Sequence, residues 1–273
     1  MERARPIVFL SDYGLEDEFV GICHAVIARI SPASPVIDLT HGIPPHDVLR
    51  GALVLSRSIS YLPTEAVLLA VVDPGVGTPR RPVAVETLHG EQLLVGPDNG
   101  LMSLAWAVRG GVARAVEVAE SNVILEPVSA TFHGRDIFAP AAAHLAAGVT
   151  LSELGPEVDP ASLATVHPPA PGIETGRIDA EVYGVDRFGN VQLSAATGHL
   201  ERAGLAGANR LEVVTGRGTT PVRRAATFGD VTEGEFALIV DSSARLALVL
   251  NRGSAAEALD LAVGDALTIQ ASE

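Results

Sequence analysis

The sequence predicts an α/β N-terminal domain with a largely parallel sheet covered by helices, residues 1–171, and a small all-β barrel-like C-terminal domain, residues 172–273. Three observations predict this. Up to about residue 150, short apolar runs alternate with segments of helical period, the pattern of strands buried on both faces by helices. Beyond the middle of the chain the segments become short, β-rich and separated by Gly, Asn and Asp turns, as in a small barrel or sandwich. Between the two, over 156–176, prolines and glycines cluster as a linker that includes HPPAPGIETG.

The elements follow in order. PIVFLSD reads as a buried strand, and DEFVGICHAVIARISP as a helix, with apolar residues at Phe19, Ile22, Cys23, Val26, Ile27 and Ile30. PVIDLT is a strand, HDVLRGALVLSRSISYLP a helix and AVLLAVVD a strand. PVAVET and EQLLVGPD are strands, followed by the helix GLMSLAWAVRGG, the strand RAVEVAE and the helix RDIFAPAAAHLAAG. The second domain supplies strands in RIDAEVYGVD, GNVQLS, RLEVVTG, TPVRRAATFG, FALIVDSS, RLALVLN and ALTIQ.

Composition removes several function classes. The formal charge is −14 and the arginines form no stripe, which argues against nucleic acid as a partner. All 19 basic residues are Arg, so no Schiff-base lysine, phosphate-loop lysine or lysine general base is available. A single cysteine, Cys23, excludes internal disulfides and multi-Cys zinc sites. Met1–Arg5 is too short and polar for a signal peptide, and no apolar run reaches the ~18 residues of a membrane span. A cytoplasmic protein is expected, with no membrane partner.

In open parallel sheets, ligands bind beyond the carboxyl ends of the strands. Asp12, Asp73 and Asp98 stand at such ends. Asp98, before Asn99-Gly100, reads as a helix cap. Asp12 and Asp73 each open a glycine-containing loop that lets backbone approach a ligand. Arg80, beside Arg81, is the local partner for Asp73, and such a neighbour lowers a carboxylate pKa by ~1–3 units. A plain surface salt bridge fits the local sequence equally well. His133 stands in a glycine-containing turn ahead of a helix, and spacing alone does not bring it to Asp73. His41 and His46 flank GIPP without metal-ligand spacing, so no metal is expected. No G-x-G-x-x-G follows the first strand, and the acidic DYGLEDE loop there would repel a pyrophosphate.

FLSDYGLEDEFVG, IDLTHGIPPHDVLRGA, VVDPGVGTPRR, VGPDNGLM, TFHGRDIFAPAAAHLAAG, DRFGNVQLS and NRGSAAE occur in the order of one family. In these motifs the chain resembles the S-adenosylmethionine hydroxide adenosyltransferases, relatives of the fluorinase and chlorinase enzymes. The resemblance implies a homotrimer with active sites at subunit interfaces, and hydroxide attack on the ribose C5′ of S-adenosylmethionine, releasing adenosine and L-methionine. S-adenosylmethionine is then the substrate and no cofactor is implied. By the same resemblance the catalytic set falls on Asp73, Arg80 and His133, and Asp12 on the carboxylate that holds the ribose hydroxyls. Asn190, Phe228 and the backbone around Asn251 and Arg252 match the adenine pocket, and Asp186 and Ser242 match groups near the methionine. His46 occupies a position that is aromatic in the fluorinase-like relatives, and Ser243 one where they have arginine. Halide addition at the same carbon is the nearest alternative. A carboxylate at position 73 opposes it, because two like charges ~4 Å apart repel by about 4 kcal/mol at an effective dielectric of 20. A non-catalytic adenosine or S-adenosylmethionine sensor is a third reading, and it has no need of an Asp–Arg–His set.

Overall fold

The structure is a computed structural model that describes residues 4–89 and 92–272. Most of the Met1–Arg5 segment, and Glu91 at the start of EQLLVGPD, lie outside the described residues. The chain divides into two compact units, the first ending at Val166 and the second beginning at His167.

In the first unit, β1 (Ile7–Ser11), β3 (Val67–Val71) and β5 (Leu93–Pro97) are buried along their whole length. Alternate residues leave such strands on opposite faces. Phe9 and Leu69 accordingly join a core with Cys23 and Ile27 of α1 (Phe19–Ile30) and with α4 (Ala139–Ala146). Val8 and Leu10 join the opposite core with Leu55 of α2 (Val48–Ser58) and Trp106 of α3 (Ser103–Val108). With β2 (Val36–Thr40), β4 (Pro82–Thr87) and β6 (Val112–Glu117), the sheet order is β2-β1-β3-β5-β4-β6.

The sheet is mixed, which corrects the largely parallel expectation. Pairs β1–β2, β1–β3 and β3–β5 are parallel, but β4 runs antiparallel to both β5 and β6. No helix among the described residues separates β3 from β4 or β4 from β5, so nothing described in those connections supplies the crossover that parallel neighbours require. Among the described residues, no helix is long and apolar enough to cross a membrane.

The second unit is a closed seven-stranded barrel. Its strands are β8 (Arg177–Val185), β9 (Val191–Ala196), β10 (Arg210–Thr215), β11 (Gly218–Arg224), β12 (Phe236–Val240), β13 (Arg245–Leu250) and β14 (Ala266–Ala271). The order β14-β10-β11-β12-β13-β9-β8 closes through β8–β14, and a short β7 (Gly172–Glu174) pairs outside it with β8. Ile178, Val182, Leu193, Val213, Leu248 and Ile269 fill the core. The unit is not all-β as expected. The helices α5 (Thr197–Arg202) and α6 (Ala255–Leu259) add Leu200, Ala255 and Leu259 to that core.

Candidate active site

Asp12 directly follows β1, and Asp73 stands two residues beyond the end of β3, so adjacent parallel strands deliver both carboxylates to one edge of the sheet. The chain then turns tightly. Val76 N–H donates to the Asp73 carbonyl at 3.2 Å, and Thr78 N–H to that of Gly75 at 3.1 Å. Gly77 has φ +75°, and a Cβ there would lie 2.5 Å from the Ala130 carbonyl oxygen. The turn thereby sits directly against the segment that carries His133.

Arg80 returns over Asp73 and grips it with two bonds, Nε to Oδ1 at 3.1 Å and Nη2 to Oδ2 at 2.5 Å. Both side chains are 7% exposed, so this is a buried pair and not the surface bridge that local sequence left open. Nη2 also lies 3.0 Å from His133 Nδ1, and the guanidinium stands 5.2 Å over the Phe138 ring. Three groups separated by up to 60 positions are thus in contact. Because guanidinium nitrogens only donate, His133 Nδ1 accepts here, which places the proton of the neutral imidazole on Nε2.

The electrostatics depart from expectation at Asp73. Burial raises its pKa above the ordinary carboxylate value by more than Arg80 and His133 lower it. The expectation of a net lowering considered the cation without the desolvation that comes with a 7% exposed site. His133 is shifted down, first by burial and then by the Arg80 charge, which favours its neutral form. Arg80 Nη1 is buried without a partner.

Asp12, His46, Asp73 and His133 line a single pocket of about 250 Å³. His46 has φ +67°, and its backbone N–H donates to Asp12 Oδ2 at 2.9 Å, which aims the carboxylate. Tyr13 and Phe19 make one wall aromatic, and Phe132 packs against both, with the three ring centroids 5.1–5.9 Å apart. Tyr13 was missed by sequence reasoning, although it directly follows Asp12. Its phenol lies against Gly134, where a Cβ would collide with the hydroxyl, and burial raises its pKa. Phe19, expected on the core face of α1, is 38% exposed at the pocket wall.

Asp98 is not a helix cap. It accepts from Arg81 Nε at 2.9 Å and Nη2 at 2.5 Å, and from Ala164 N–H at 2.8 Å. The adjacent arginines 80 and 81 therefore serve different carboxylates, Asp73 and Asp98.

Within the barrel unit, Asn190, Phe228, Asn251 and Arg252 line a second pocket of about 520 Å³. Phe188 and Leu250, not anticipated, share it. Asp186 does not line it. Its carboxylate accepts from Phe188 N–H, Asn190 N–H and Asn190 Nδ2 at 2.8–3.0 Å, closing the loop that presents Asn190. Phe228 is 45% exposed on a turn held by Asp230, which accepts from Thr227 N–H at 2.8 Å. Ser242 is an exposed residue of the β12–β13 turn, apart from the pocket lining.

Comparison with known proteins places these two sites in context. Residues 7–155 match the family model for the SAM hydroxide adenosyltransferase N-terminal domain, and 180–268 that for its C-terminal domain. The chain is 49% identical over 97% of both chains to an (R)-S-adenosyl-L-methionine hydrolase of Salinispora tropica. It is 27% identical over 96% of both to a fluorinase of an Actinoplanes species. A crystal structure of an uncharacterized conserved protein from Thermotoga maritima aligns with TM-score 0.89 at 36% identity, over 97% of this chain and 99% of that one.

Proposed function

This chain belongs to the SAM hydroxide adenosyltransferase family, and from that premise we propose that it hydrolyses S-adenosyl-L-methionine to adenosine and L-methionine. Water attacks the ribose C5′. The new C–O bond forms as the C–S bond breaks, its electron pair stays on sulfur as a neutral thioether, and a proton is released. The observation that carries the reading is the contact of Asp73, Arg80 and His133 beside a pocket that also holds Asp12.

The geometry divides the work. His133, its Nδ1 engaged by Arg80, offers an Nε2–H that donates to the water oxygen and cannot take its proton. Asp73 is the acceptor, and burial makes it a stronger base than an exposed carboxylate. Holding water in line with the leaving sulfur supplies the larger share, up to ~7–11 kcal/mol for well-oriented reactants. Asp12 takes the ribose hydroxyls, with His46 holding it in place. Phe228 packs on the purine and Asn190 meets its edge, with the backbone at Asn251 and Arg252 closing the pocket. Asp186 acts by fixing Asn190, and Ser242 faces the methionine.

The reaction needs no cofactor. Membership of the family is what supports reading the protein as a cytoplasmic homotrimer in which neighbouring subunits complete each site. The (R) in the relative's name designates the sulfonium, since L already defines the amino-acid carbon, and we assign the same epimer here. A carboxylate at position 73 opposes halide as the nucleophile.

Incubation with each sulfonium epimer in oxygen-18 water tests the reading. Equal yields of adenosine and methionine, with label in the 5′-hydroxyl and faster turnover of the (R) form, are expected. Unlabelled adenosine, or no adenosine from either epimer, would overturn it.

A further inference from the structure

Another group of polar side chains gathers near the strand ends, and the proposed hydrolysis uses none of them. His24 comes from α1, Asp38 from β2, and His41 from the turn after β2. His24 Nε2 is 2.8 Å, and His41 Nε2 3.0 Å, from the same atom, Asp38 Oδ1. One donor atom from each residue lies within 4.8 Å of the others.

The decisive group is His41. Its side chain is 3% exposed, its ring stands edge-on to Phe9 at 4.7 Å, and its Nδ1 lies 2.7 Å from Ser11 Oγ. Nε2, although close to Asp38, is buried without an aligned hydrogen bond. Both tautomers leave it unsatisfied. With the proton on Nδ1, donated to Ser11, a bare Nε2 lone pair faces a carboxylate oxygen, acceptor against acceptor. With the proton on Nε2, a buried N–H is misdirected. A cation at the point of convergence removes the conflict, and Ser11 then serves as the outer hydrogen-bond partner that metal-bound imidazoles have.

We infer that His24 Nε2, Asp38 Oδ1 and His41 Nε2 form a binding site for a divalent transition-metal ion of the zinc class. Two imidazoles and one carboxylate suit such ions, whereas calcium and magnesium prefer all-oxygen sites. His24 and Asp38, 35% and 43% exposed, leave a path for entry and room for water as the fourth ligand. Separations of 14 and 3 residues across a helix, a strand and a turn explain why no metal was expected from sequence. The ion would clamp α1 to β2. Through Ser11, and through Gly14 N–H donating to the His41 carbonyl at 2.9 Å, it would also brace the loop that carries Asp12. The inference stands whatever the substrate proves to be.

The test is calorimetric titration of zinc chloride into tag-free, full-length protein stripped with a chelator, with thermal melts alongside. Wild type should take up one zinc per chain and melt at a higher temperature. Asp38→Asn and His24→Ala should each weaken uptake by more than the ~10–100-fold that loss of an outer partner causes. Both positions are partly exposed, and circular dichroism verifies that the variants fold. Failure of the wild type to bind zinc, or equal uptake by folded variants, would overturn the assignment.

Discussion

Asp73→Asn separates chemistry from folding at this site. Asparagine keeps the shape of the side chain but offers one acceptor where Arg80 Nε and Nη2 now find two, at 3.1 and 2.5 Å. One guanidinium donor loses its partner in a place where Nη1 already has none, at a cost of about 1–3 kcal/mol of stability. Catalysis should lose more. Removing a positioned base costs ~10²–10⁴ in rate, or about 2.7–5.5 kcal/mol of barrier at 1.36 kcal/mol per decade. In the proposed arrangement the carboxylate meets the water and not S-adenosylmethionine, so kcat should fall while KM moves little. The assay is adenosine release followed chromatographically from pH 4 to 9. Wild-type activity should rise with pH through a limb above the ordinary carboxylate value, since burial raises Asp73 and only its ionised form accepts a proton. The variant should lose that limb. A folded Asp73→Asn protein with kcat within about threefold of wild type, or with the limb unmoved, would refute the assignment of the base.

Three other outcomes are expected. Phe228→Ala should raise KM with kcat nearly unchanged, because aromatic stacking on a base is worth ~1–3 kcal/mol, or about 5- to 150-fold; a change confined to kcat contradicts a purine-packing role. Gly77→Ala places a side chain at φ +75° against the Ala130 carbonyl, and urea denaturation should register a loss of more than about 1 kcal/mol. His133, His144 and His199 are all shifted down, each chiefly by burial. Their contribution is present above the unfolded histidine value of ~6.5 and is lost as pH falls through the lower folded values, so Tm should drop on acidification from pH 7.5. Asp73, shifted up, works in the opposite sense, and Asp73→Asn should steepen the drop.

What could be read from the residues depended on how local the cause was. The buried strands β1, β3 and β5 are unbroken apolar runs, and their placement at the centre of a covered sheet follows from that alone. The direction of β4 was not legible, because it depends on which edge the Asp73–Arg81 turn reaches. The helices α5 and α6, of six and five residues, are too short for a helical period to emerge, and β7 lies in a stretch whose prolines read as linker. Seven residues and two glycines made the Asp73–Arg80 pair visible as a candidate. His133 is 53 positions from Arg80, and only resemblance brought it in. Asp98 was misread because its partners, Arg81 and Ala164, are 17 and 66 residues away, whereas a cap is recognised from its immediate neighbours.

The seam between β8 and β14 gives the barrel no free border, since each of its seven strands has a companion on either side. A chain that stopped at Gly264 would bare the flanks of β8 and β10 together. Rows of unmet amide and carbonyl groups are templates for indiscriminate pairing. The last full strand thus acts as a zip fastener, and its absence would turn a self-contained cylinder into an adhesive sheet.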